Sequence, residues 1–491
     1  MTTTPPHAVD AIVTRAEQAA PAWGAVPPVE RARALRQVAD AIDTRAGDLV
    51  ALAEVETHLA EPRLRGELRR TTFQLRLFAD VVTEGGHLDA RIDHADPDWP
   101  MGAPRPDLRR MLVPVGPVLV FAAGNFPFAF SVAGGDVASA LAAGCPVVVK
   151  VHPGHPRLSA ATASAVGDAL AAGDTPDGVF AVISGVEAGV RALEHAALRA
   201  AAFTGSTAAG RTLFDIAQAR PQPIPFHGEL GSVNPVFVTR AAVAERLTAI
   251  RDGLVASFTA SAGQLCTKPG IVVLPAGSGL TEALRTARLG VGSRLLSERN
   301  HDGYVSRLRS LKALESVELL SGAAGAFDPR PDPVLLRTTV SAALGDAADV
   351  MSECFGPTTI LVEYDDDREL LSVARSLEGQ LTATVHATDA DADDMTDLLA
   401  VLADRAGRVV WNEWPTGVSV THAQQHGGPY PAATSPTTSV GSAAIDRFLR
   451  PVAYQNFPDR LLSPVLREAN PWGVPRLVNG VRQLRPTTAT G

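Results

Sequence analysis

The chain has 491 residues, of which 46% are hydrophobic and 20% are charged, and its formal net charge is −9. This length and composition predict a globular protein with two or three domains and exclude a largely disordered chain. Apart from a short arginine-rich stretch at 63–70, no block of basic residues stands out, which argues against a nucleic-acid-binding protein.

The N-terminal region predicts helices followed by a polar excursion. It lacks a cationic start followed by an apolar segment, so a secretory signal is not predicted. Residues 8–88 predict two or three amphipathic helices, because Leu35, Val38 and Ile42 recur at helical spacing. Residues 89–107 are polar and rich in proline, and they predict a loop or an extended hairpin that reaches another subunit.

A regular alternation of short apolar runs and helical segments begins at residue 118. Strands are predicted at 118–122, 147–150, 179–183 and 200–203, and helices at 136–143, 159–172, 187–197 and 208–218. Such an alternation predicts βαβ units and a buried parallel sheet, whose ligands bind at the carboxyl ends of the strands. The loops expected to border one site are 123–128, 150–156, 184–186 and 204–207.

The stretch 111–135 has no charged residue and would pass as a membrane span on hydropathy alone. Three prolines and four glycines interrupt it. Because such interruptions break a helix, we predict a strand, a loop and a helix there, and no membrane partner.

The remainder of the chain divides into two parts. Strands and helices alternate again from about Leu230 to Gln425. The tail 427–491 is rich in Pro, Arg and Asn, which predicts an extended wrap.

Cys266 and Glu229 are the residues most suggestive of chemistry. Cys266 lies among small residues, 37 positions after Glu229, which is flanked by glycines. A cysteine among small residues can expose its sulfur, and a carboxylate between glycines can activate water. The pair therefore suggests covalent thiol catalysis followed by hydrolysis. Taken alone, however, Cys266 is more typical of a core cysteine, as are Cys145 and Cys354.

The three cysteines are scattered and odd in number, so they give no disulfide framework. That usage fits a reducing compartment, in which a thiolate stays available. We therefore expect a cytoplasmic protein.

Two further motifs leave alternatives open. Asn125 follows a predicted strand, where its amide could donate to an oxyanion, although a turn-forming asparagine is the commoner interpretation. Residues 205–212 match a phosphate-binding Walker motif at all but one position, since Arg211 stands in place of the lysine. This argues against an NTPase, but a helix N-terminus of this kind also binds dinucleotides.

Two histidine pairs have spacings found in metal sites. His422 and His426 are four residues apart, and His152 and His155 lie on a proline-broken loop. Since a third ligand is not evident for either pair, no metal site is predicted.

Several motifs together resemble the aldehyde dehydrogenase superfamily over nearly the whole chain. The matching runs are 121–128, 134–150, 203–210, 229–231, 263–267 and 353–357. Within the superfamily, the runs 150–156, 426–432 and 448–458 resemble the branch of 2,5-dioxopentanoate (α-ketoglutaric semialdehyde) dehydrogenases and similar NADP-dependent enzymes.

The resemblance implies an α/β fold with two three-layer α/β/α domains, parallel-sheet cores and an extended oligomerisation element. It implies a cofactor-binding domain at 1–229 with an oligomerisation excursion near 89–110, a catalytic domain at 230–425, and a C-terminal wrap and oligomerisation tail at 426–491. A homodimer or homotetramer is the expected assembly.

The resemblance also implies residue roles. Cys266 would attack the aldehyde as a thiolate, Asn125 and the Cys266 backbone N–H would hold the oxyanion, and Glu229 would activate the hydrolytic water. The implied activity is oxidation of a small aldehyde, with α-ketoglutaric semialdehyde as the expected substrate. A broad-specificity or fatty aldehyde dehydrogenase is the alternative, and a non-catalytic binding protein or acyl transfer to coenzyme A is less favoured.

Cofactor contacts carry over to matching positions only. The implied residues are Lys150, Gly205, Ser206, Glu353 and Phe355. Pro153 stands where NAD-preferring relatives carry a glutamate, and this favours NADP over NAD without proving it. For a distal acid on the substrate, Lys268 and Arg450 are candidates, although surface or subunit contacts are favoured for both.

Overall fold

The structure is a computed structural model that describes residues 2–322 and 325–484. Its N-terminal region contains four helices: α1 (Pro6–Ala25), α2 (Pro28–Thr44), α3 (Ala46–Thr57) and α4 (Glu61–Glu84). The sequence predicted two or three helices here, and the structure has four because short interruptions divide the region. Helix α3 ends at His58 and α4 ends at Gly85, and both of these residues have a left-handed backbone conformation. Leu35, Val38 and Ile42 are buried on α2, as their spacing predicts.

The polar excursion is an antiparallel hairpin. It consists of β1 (Ala90–Asp93) and β2 (Leu108–Pro114), and an isolated bridge between Asp96 and Arg105 extends the pairing. The hairpin prediction is confirmed, whereas its reach to another subunit stays a prediction.

The first parallel sheet follows the predicted alternation. Its elements are β3 (Val118–Phe121), α5 (Gly135–Ala143), β4 (Val147–Lys150), α6 (Pro156–Ala171), β5 (Phe180–Ile183), α7 (Val186–Glu194), β6 (Ala200–Thr204), α8 (Thr207–Ala219) and β7 (Phe226–Glu229). The strand order is β5-β4-β3-β6-β7, and every pair is parallel. All four residues of β3 are buried, because helices cover both faces.

A seven-stranded sheet forms the second core. Its elements are β8 (Val236–Val238), α9 (Arg240–Thr259), β9 (Ile271–Pro275), α10 (Leu280–Arg285), α11 (Glu298–Ala313), β10 (Glu318–Ser321), β11 (Val334–Thr339), α12 (Val340–Gly345), α13 (Ala347–Val350), β12 (Thr358–Tyr364), α14 (Arg368–Ser376), β13 (Gln380–His386), α15 (Thr396–Arg405) and β14 (Ala406–Trp411). The order is β10-β11-β12-β9-β8-β13-β14, and only the edge strand β10 pairs in antiparallel fashion. The predicted α/β class with parallel-sheet cores is confirmed.

The tail packs against two parts of the structure, the hairpin and the end of β7. Its strands are β15 (Leu449–Gln455), β16 (Arg476–Val478) and β17 (Val481–Gln483), and they join the hairpin in a sheet of order β15-β2-β1-β16-β17. Before β15, the chain returns to the end of β7, where Leu230 donates to the Ala432 carbonyl and Glu229 bridges Ala433. In the described part of the chain, every helix is too short or too polar to cross a membrane.

Candidate active site

The loop that carries Cys266 is shaped by an unusual backbone. After α9, a 3₁₀ turn (Ala260–Gly263) contains three consecutive left-handed residues, with φ of 52° at Ser261, 54° at Ala262 and 67° at Gly263. A Cβ added at Gly263 would lie 2.1 Å from the Gly356 carbonyl oxygen. Glycine is therefore required there, because a side chain would be both strained and in collision.

Two side chains fix the loop on the other side of the nucleophile. Asn234 donates through Nδ2 to the carbonyl oxygens of Cys266 (2.8 Å) and Lys268 (3.0 Å). The Cys266 side chain is partly exposed, whereas Cys145 and Cys354 are buried. Of the three cysteines, Cys266 is thus the one a substrate can reach.

Glu229 and a residue from the tail converge on the sulfur. Glu229 is the last residue of β7, and its Oε1 lies 2.9 Å from His426 Nε2. The same nitrogen lies 3.6 Å from Cys266 Sγ, and Ser439 Oγ donates to Glu229 Oε2 at 2.7 Å. Both His426 and Glu229 are almost fully buried. Neither His426 nor Ser439 is among the residues that the sequence predicts for this site.

The surroundings of Cys266 favour the neutral thiol. Burial, followed by the charge of Glu229, raises the pKa of the Cys266 thiol well above its usual value. For Glu229, burial acts to raise the pKa, but His426, Ser439 and Cys266 together hold it below its usual value. A neutral thiol therefore faces an ionised carboxylate. Attack by Cys266 as a thiolate stays a prediction, and the neighbouring carboxylate of Glu229 could accept the thiol proton.

Asn125 lies next to the nucleophile loop. It follows β3, and its Nδ2 donates to the carbonyl of Gln264 at 3.1 Å, two residues before Cys266. The second Nδ2 hydrogen has no acceptor among the described residues. The Asn125 carbonyl in turn accepts from Arg63 Nη2 on α4 at 2.6 Å. An amide hydrogen is therefore available beside the cysteine.

Helix α4 also fixes the loop that follows Asn125. Oε1 of Glu67 accepts from the backbone N–H groups of Phe128 (2.8 Å) and Ala129 (3.0 Å). Glu67 is buried and lies one helical turn after Arg63. A charged stripe of α4 thus positions Asn125 and its neighbours, a function that the sequence analysis did not predict.

Three of the predicted cofactor residues lie together at the start of α8. Ser206 caps the helix by accepting from the Ala209 N–H at 3.4 Å, and residues 205–208 are exposed. A Cβ added at Gly231 would lie 2.8 Å from both Glu353 Oε2 and Thr207 Oγ1. The Glu353 carboxylate therefore reaches the N-terminus of α8, whose amides are an anion site.

The remaining predicted cofactor residues border the same sheet end or pack behind it. Lys150 is the last residue of β4 and is partly buried, which lowers its pKa. Phe355 packs against the N-terminal core. Burial raises the pKa of Glu353 to about 7, opposed by Lys268, and none of the described residues donates a hydrogen bond to its carboxylate. Exposed helix amides, a lysine and an unpartnered carboxylate fit the phosphates and ribose hydroxyls of a dinucleotide.

Lys268 does not lie at a pocket mouth. Its side chain is 3% exposed, and Nζ donates to the carbonyls of Cys354 (2.9 Å) and Thr358 (2.6 Å). Both expectations for Lys268, a substrate contact and a surface contact, are therefore wrong, because the ammonium group fixes the backbone around Glu353 instead. Arg450 is exposed on β15.

The histidine pairs occupy different environments. His155 contacts the Ala123 carbonyl and Ser159 Oγ through its two ring nitrogens, and His152 stacks on it at 5.3 Å. His422 is exposed and contacts Ser442, away from the buried His426.

A different set of donor atoms does converge. Single donor atoms of Glu229, Cys266 and His426 lie within 4.8 Å of one another. A soft ion could use these atoms, but it would occupy the nucleophile. That the protein works without a metal stays a prediction.

Similarity to known proteins agrees with this geometry. The sequence model of the "Aldehyde dehydrogenase family" matches residues 2–451. The chain is 43% identical to an α-ketoglutaric semialdehyde dehydrogenase from Acinetobacter baylyi, over 92% of this chain and 87% of that protein. It is 44% identical to α-ketoglutaric semialdehyde dehydrogenase 2 from Azospirillum brasilense, over 95% of this chain and 90% of that protein.

Solved structures share the fold at lower identity. PnpE in complex with nicotinamide adenine dinucleotide is 21% identical, with a TM-score of 0.77, and the match covers 93% of this chain and 91% of that one. An aldehyde dehydrogenase from Bacillus cereus is 20% identical, with a TM-score of 0.78 and coverage of 92% and 89%. The chain belongs to the aldehyde dehydrogenase family, which uses NAD(P), and is an oxidoreductase that acts on an aldehyde.

Proposed function

We propose that the protein oxidises α-ketoglutaric semialdehyde to 2-oxoglutarate through covalent intermediates on Cys266. The observation that carries the chemistry is the convergence of the buried Glu229 and His426 on the partly exposed Cys266. The two relatives that are 43% and 44% identical support the choice of substrate by their names.

The first step is attack of Cys266 Sγ on the aldehyde carbon. A carbon–sulfur bond forms, and the thiol proton passes to Glu229, whose lowered pKa favours the carboxylate and whose donor atom lies within 4.8 Å of the sulfur. His426 and Ser439 hold the carboxylate in place during this transfer. The carbonyl oxygen becomes an oxyanion, which accepts from the free amide hydrogen of Asn125 and from the Cys266 backbone N–H.

When bound, NAD(P) would accept a hydride from the former aldehyde carbon, which is then bonded to Cys266 Sγ. Lys150, Gly205, Ser206 and Glu353 would hold the dinucleotide, with the phosphates at the start of α8 and ribose hydroxyls on Glu353. Glu229 releases the thiol proton to solvent before hydrolysis, so that, once the thioester has formed, its carboxylate can take a proton from the water that attacks the acyl carbon. The Cys266 sulfur leaves as a thiolate and takes this proton back from Glu229, and the acid is released.

NADP is the proposed cofactor in preference to NAD. Pro153 lies three residues after Lys150, is exposed and carries no charge, so a 2′-phosphate meets no carboxylate at that position. The comparison that tests the preference is kcat/KM for NADP against kcat/KM for NAD with one aldehyde.

A homodimer or homotetramer is also proposed. Strand β15 lies at the edge of the five-stranded sheet, and Phe457 and Leu461 beyond it are exposed apolar residues. Light scattering after size-exclusion chromatography tests this, and a monomeric mass would refute it.

The central experiment measures reduction of NAD and NADP by the purified protein with α-ketoglutaric semialdehyde, together with the acid product. Cys266→Ala should abolish turnover, whereas Cys145→Ala should retain it, because Cys145 is buried and donates to the Phe448 carbonyl. Absence of aldehyde-dependent reduction with either cofactor would overturn the proposal. An acyl-coenzyme A product formed only when coenzyme A is present would replace hydrolysis by acyl transfer.

A further inference from the structure

Helix α4 carries two arginines whose hydrogen-bonding capacity is only partly used. Arg63 and Arg70 lie seven residues apart on the stripe of α4 that faces the loop after Asn125. Arg63 donates one Nη2 hydrogen to the Asn125 carbonyl, while its Nη1 atom is buried. The Nε and Nη2 atoms of Arg70 are buried as well. Among the described residues, these three nitrogens have no hydrogen-bond partner.

Aromatic rings form the walls around both guanidinium groups. The Arg63 Cζ lies 4.9 Å from the centre of the Phe126 ring, and the Arg70 Cζ lies 5.4 Å from that of Phe130. The two rings contact edge to face at 5.5 Å. Ring faces attract cations, but they do not replace the acceptors that a buried N–H group loses on leaving water. An acceptor supplied by a ligand would satisfy these donors.

The charges that face the two arginines leave a positive surplus. Glu67 is the carboxylate between them on α4, and its Oε1 is already bonded to two backbone N–H groups. Its Oε2 lies 3.6 Å from Arg63 Nη2. On the other side of the site, Glu229 is held by His426 and Ser439. The Glu67 carboxylate is therefore the one negative charge between the two guanidinium groups on α4, and Arg70 has no close ion pair within the described residues.

The arginines lie a short distance from the nucleophile. The Phe130 ring that covers Arg70 lies 6.1 Å from the His426 ring, whose Nε2 is 3.6 Å from Cys266 Sγ. A negative charge on Cys266 would raise the pKa of both Arg63 and Arg70, which places both guanidinium groups within electrostatic reach of the sulfur. The Phe130 side chain thus lies between the Arg70 guanidinium group and His426, which contacts Cys266.

We propose that Arg70, assisted by Arg63, binds the distal carboxylate of the substrate while its aldehyde carbon sits at Cys266. The planar guanidinium fork of Arg70 can donate Nε–H and Nη2–H to the two oxygens of one carboxylate. The inference rests on the proposed function, and it assigns the substrate class as short aldehydes that end in a carboxylate. Arg70 is a specificity-determining residue, whereas Arg63 also positions Asn125.

The test compares two aldehydes of equal chain length, succinic semialdehyde and butanal, on wild type and on Arg70→Gln. The variant should lose about 10- to 100-fold in kcat/KM for succinic semialdehyde, mainly through KM, since a hydrogen-bonded charge pair is lost. Its kcat/KM for butanal should change by less than about twofold. Arg70→Lys should recover part of the loss, because it restores the charge without the fork.

Arg76→Gln is the matched control. Arg76 lies on the same helix but is exposed and pairs with Asp40 (2.6 Å) and Asp43 (2.8 Å). This variant should keep the wild-type preference for the charged aldehyde.

A measurement without turnover separates the two proposals. Calorimetric titration with glutarate should show binding to wild type and to Arg76→Gln, and at least about tenfold weaker binding to Arg70→Gln. If no aldehyde is oxidised but glutarate binding still depends on Arg70, the proposed function fails and the carboxylate site stands. If Arg70→Gln lowers kcat/KM equally for both aldehydes, or leaves both values unchanged, Arg70 does not bind the substrate carboxylate and the inference is overturned.

Discussion

Replacing His426 by glutamine should move the acidic limb of the pH–rate profile to higher pH. Turnover requires ionised Glu229, and the pKa of this carboxyl is held down against its burial, with His426 at 2.9 Å as the largest opposing contact. A hydrogen bond to a charged group contributes about 1.5–3 kcal/mol, and one pKa unit corresponds to about 1.36 kcal/mol. The limb should therefore shift upward by about one to two pH units.

The assay is kcat as a function of pH at saturating aldehyde and cofactor. Because the folded pKa of Glu229 lies below its unfolded value, its contribution to stability is present above the unfolded pKa and is lost as pH falls through the folded pKa. The variant should lose that contribution, so its melting temperature at neutral pH should fall. His422→Gln is the control, since His422 is exposed and contacts only Ser442 among the described residues. A limb that stays in place, or moves to lower pH, would refute this account.

Three further outcomes are expected. Asn125→Ala should lower kcat by about 100- to 1000-fold with a small effect on KM, because one oxyanion donor contributes about 2.7–4 kcal/mol; wild-type turnover would rule the residue out as a donor. Pro153→Glu should lower kcat/KM for NADP about tenfold and leave NAD equal or improved, since a carboxylate repels a 2′-phosphate; an unchanged ratio would show that the ribose lies elsewhere. Gly263→Ala should lower the melting temperature and the activity, because its Cβ would meet the Gly356 carbonyl at 2.1 Å and the left-handed φ costs about 1–3 kcal/mol; Gly47→Ala, with open space around it, is the control and should not.

Most of the fold could be predicted because local signals and packing agree. The apolar runs at β3 and β4 are short and bounded by Pro or Gly, and each is followed by a helical segment. Such runs are stable only as buried parallel strands, so their order fixes the location of the ligand-binding edge. Lys150 and Thr204 lie at that edge, where the loop pattern places them.

The charged parts of the site could not be predicted in the same way. Lys268 lies two residues after the nucleophile in sequence, yet its side chain is buried and fixes the backbone at Cys354. The spacing of His426 predicts a contact with Cys266 or Glu229 no better than a metal ligand, and its place in the run 426–432 carries no role, because the contact with Glu229 depends on how the tail packs. Arg63 and Arg70 did carry a signal. With Glu67 they recur on one face of a predicted helix, and charged side chains at such positions are either solvated or paired with other groups.

The return of the tail to β7 has a consequence for how the protein is made. Ser439 lies 210 residues after Glu229, and His426 lies 160 residues after Cys266. During translation the cysteine therefore leaves the ribosome long before the histidine that contacts it has been synthesised. A chain that ends before residue 426 carries the thiol without His426 and Ser439, so the contacts that hold Glu229 beside Cys266 form only after residues 426–439 have been synthesised.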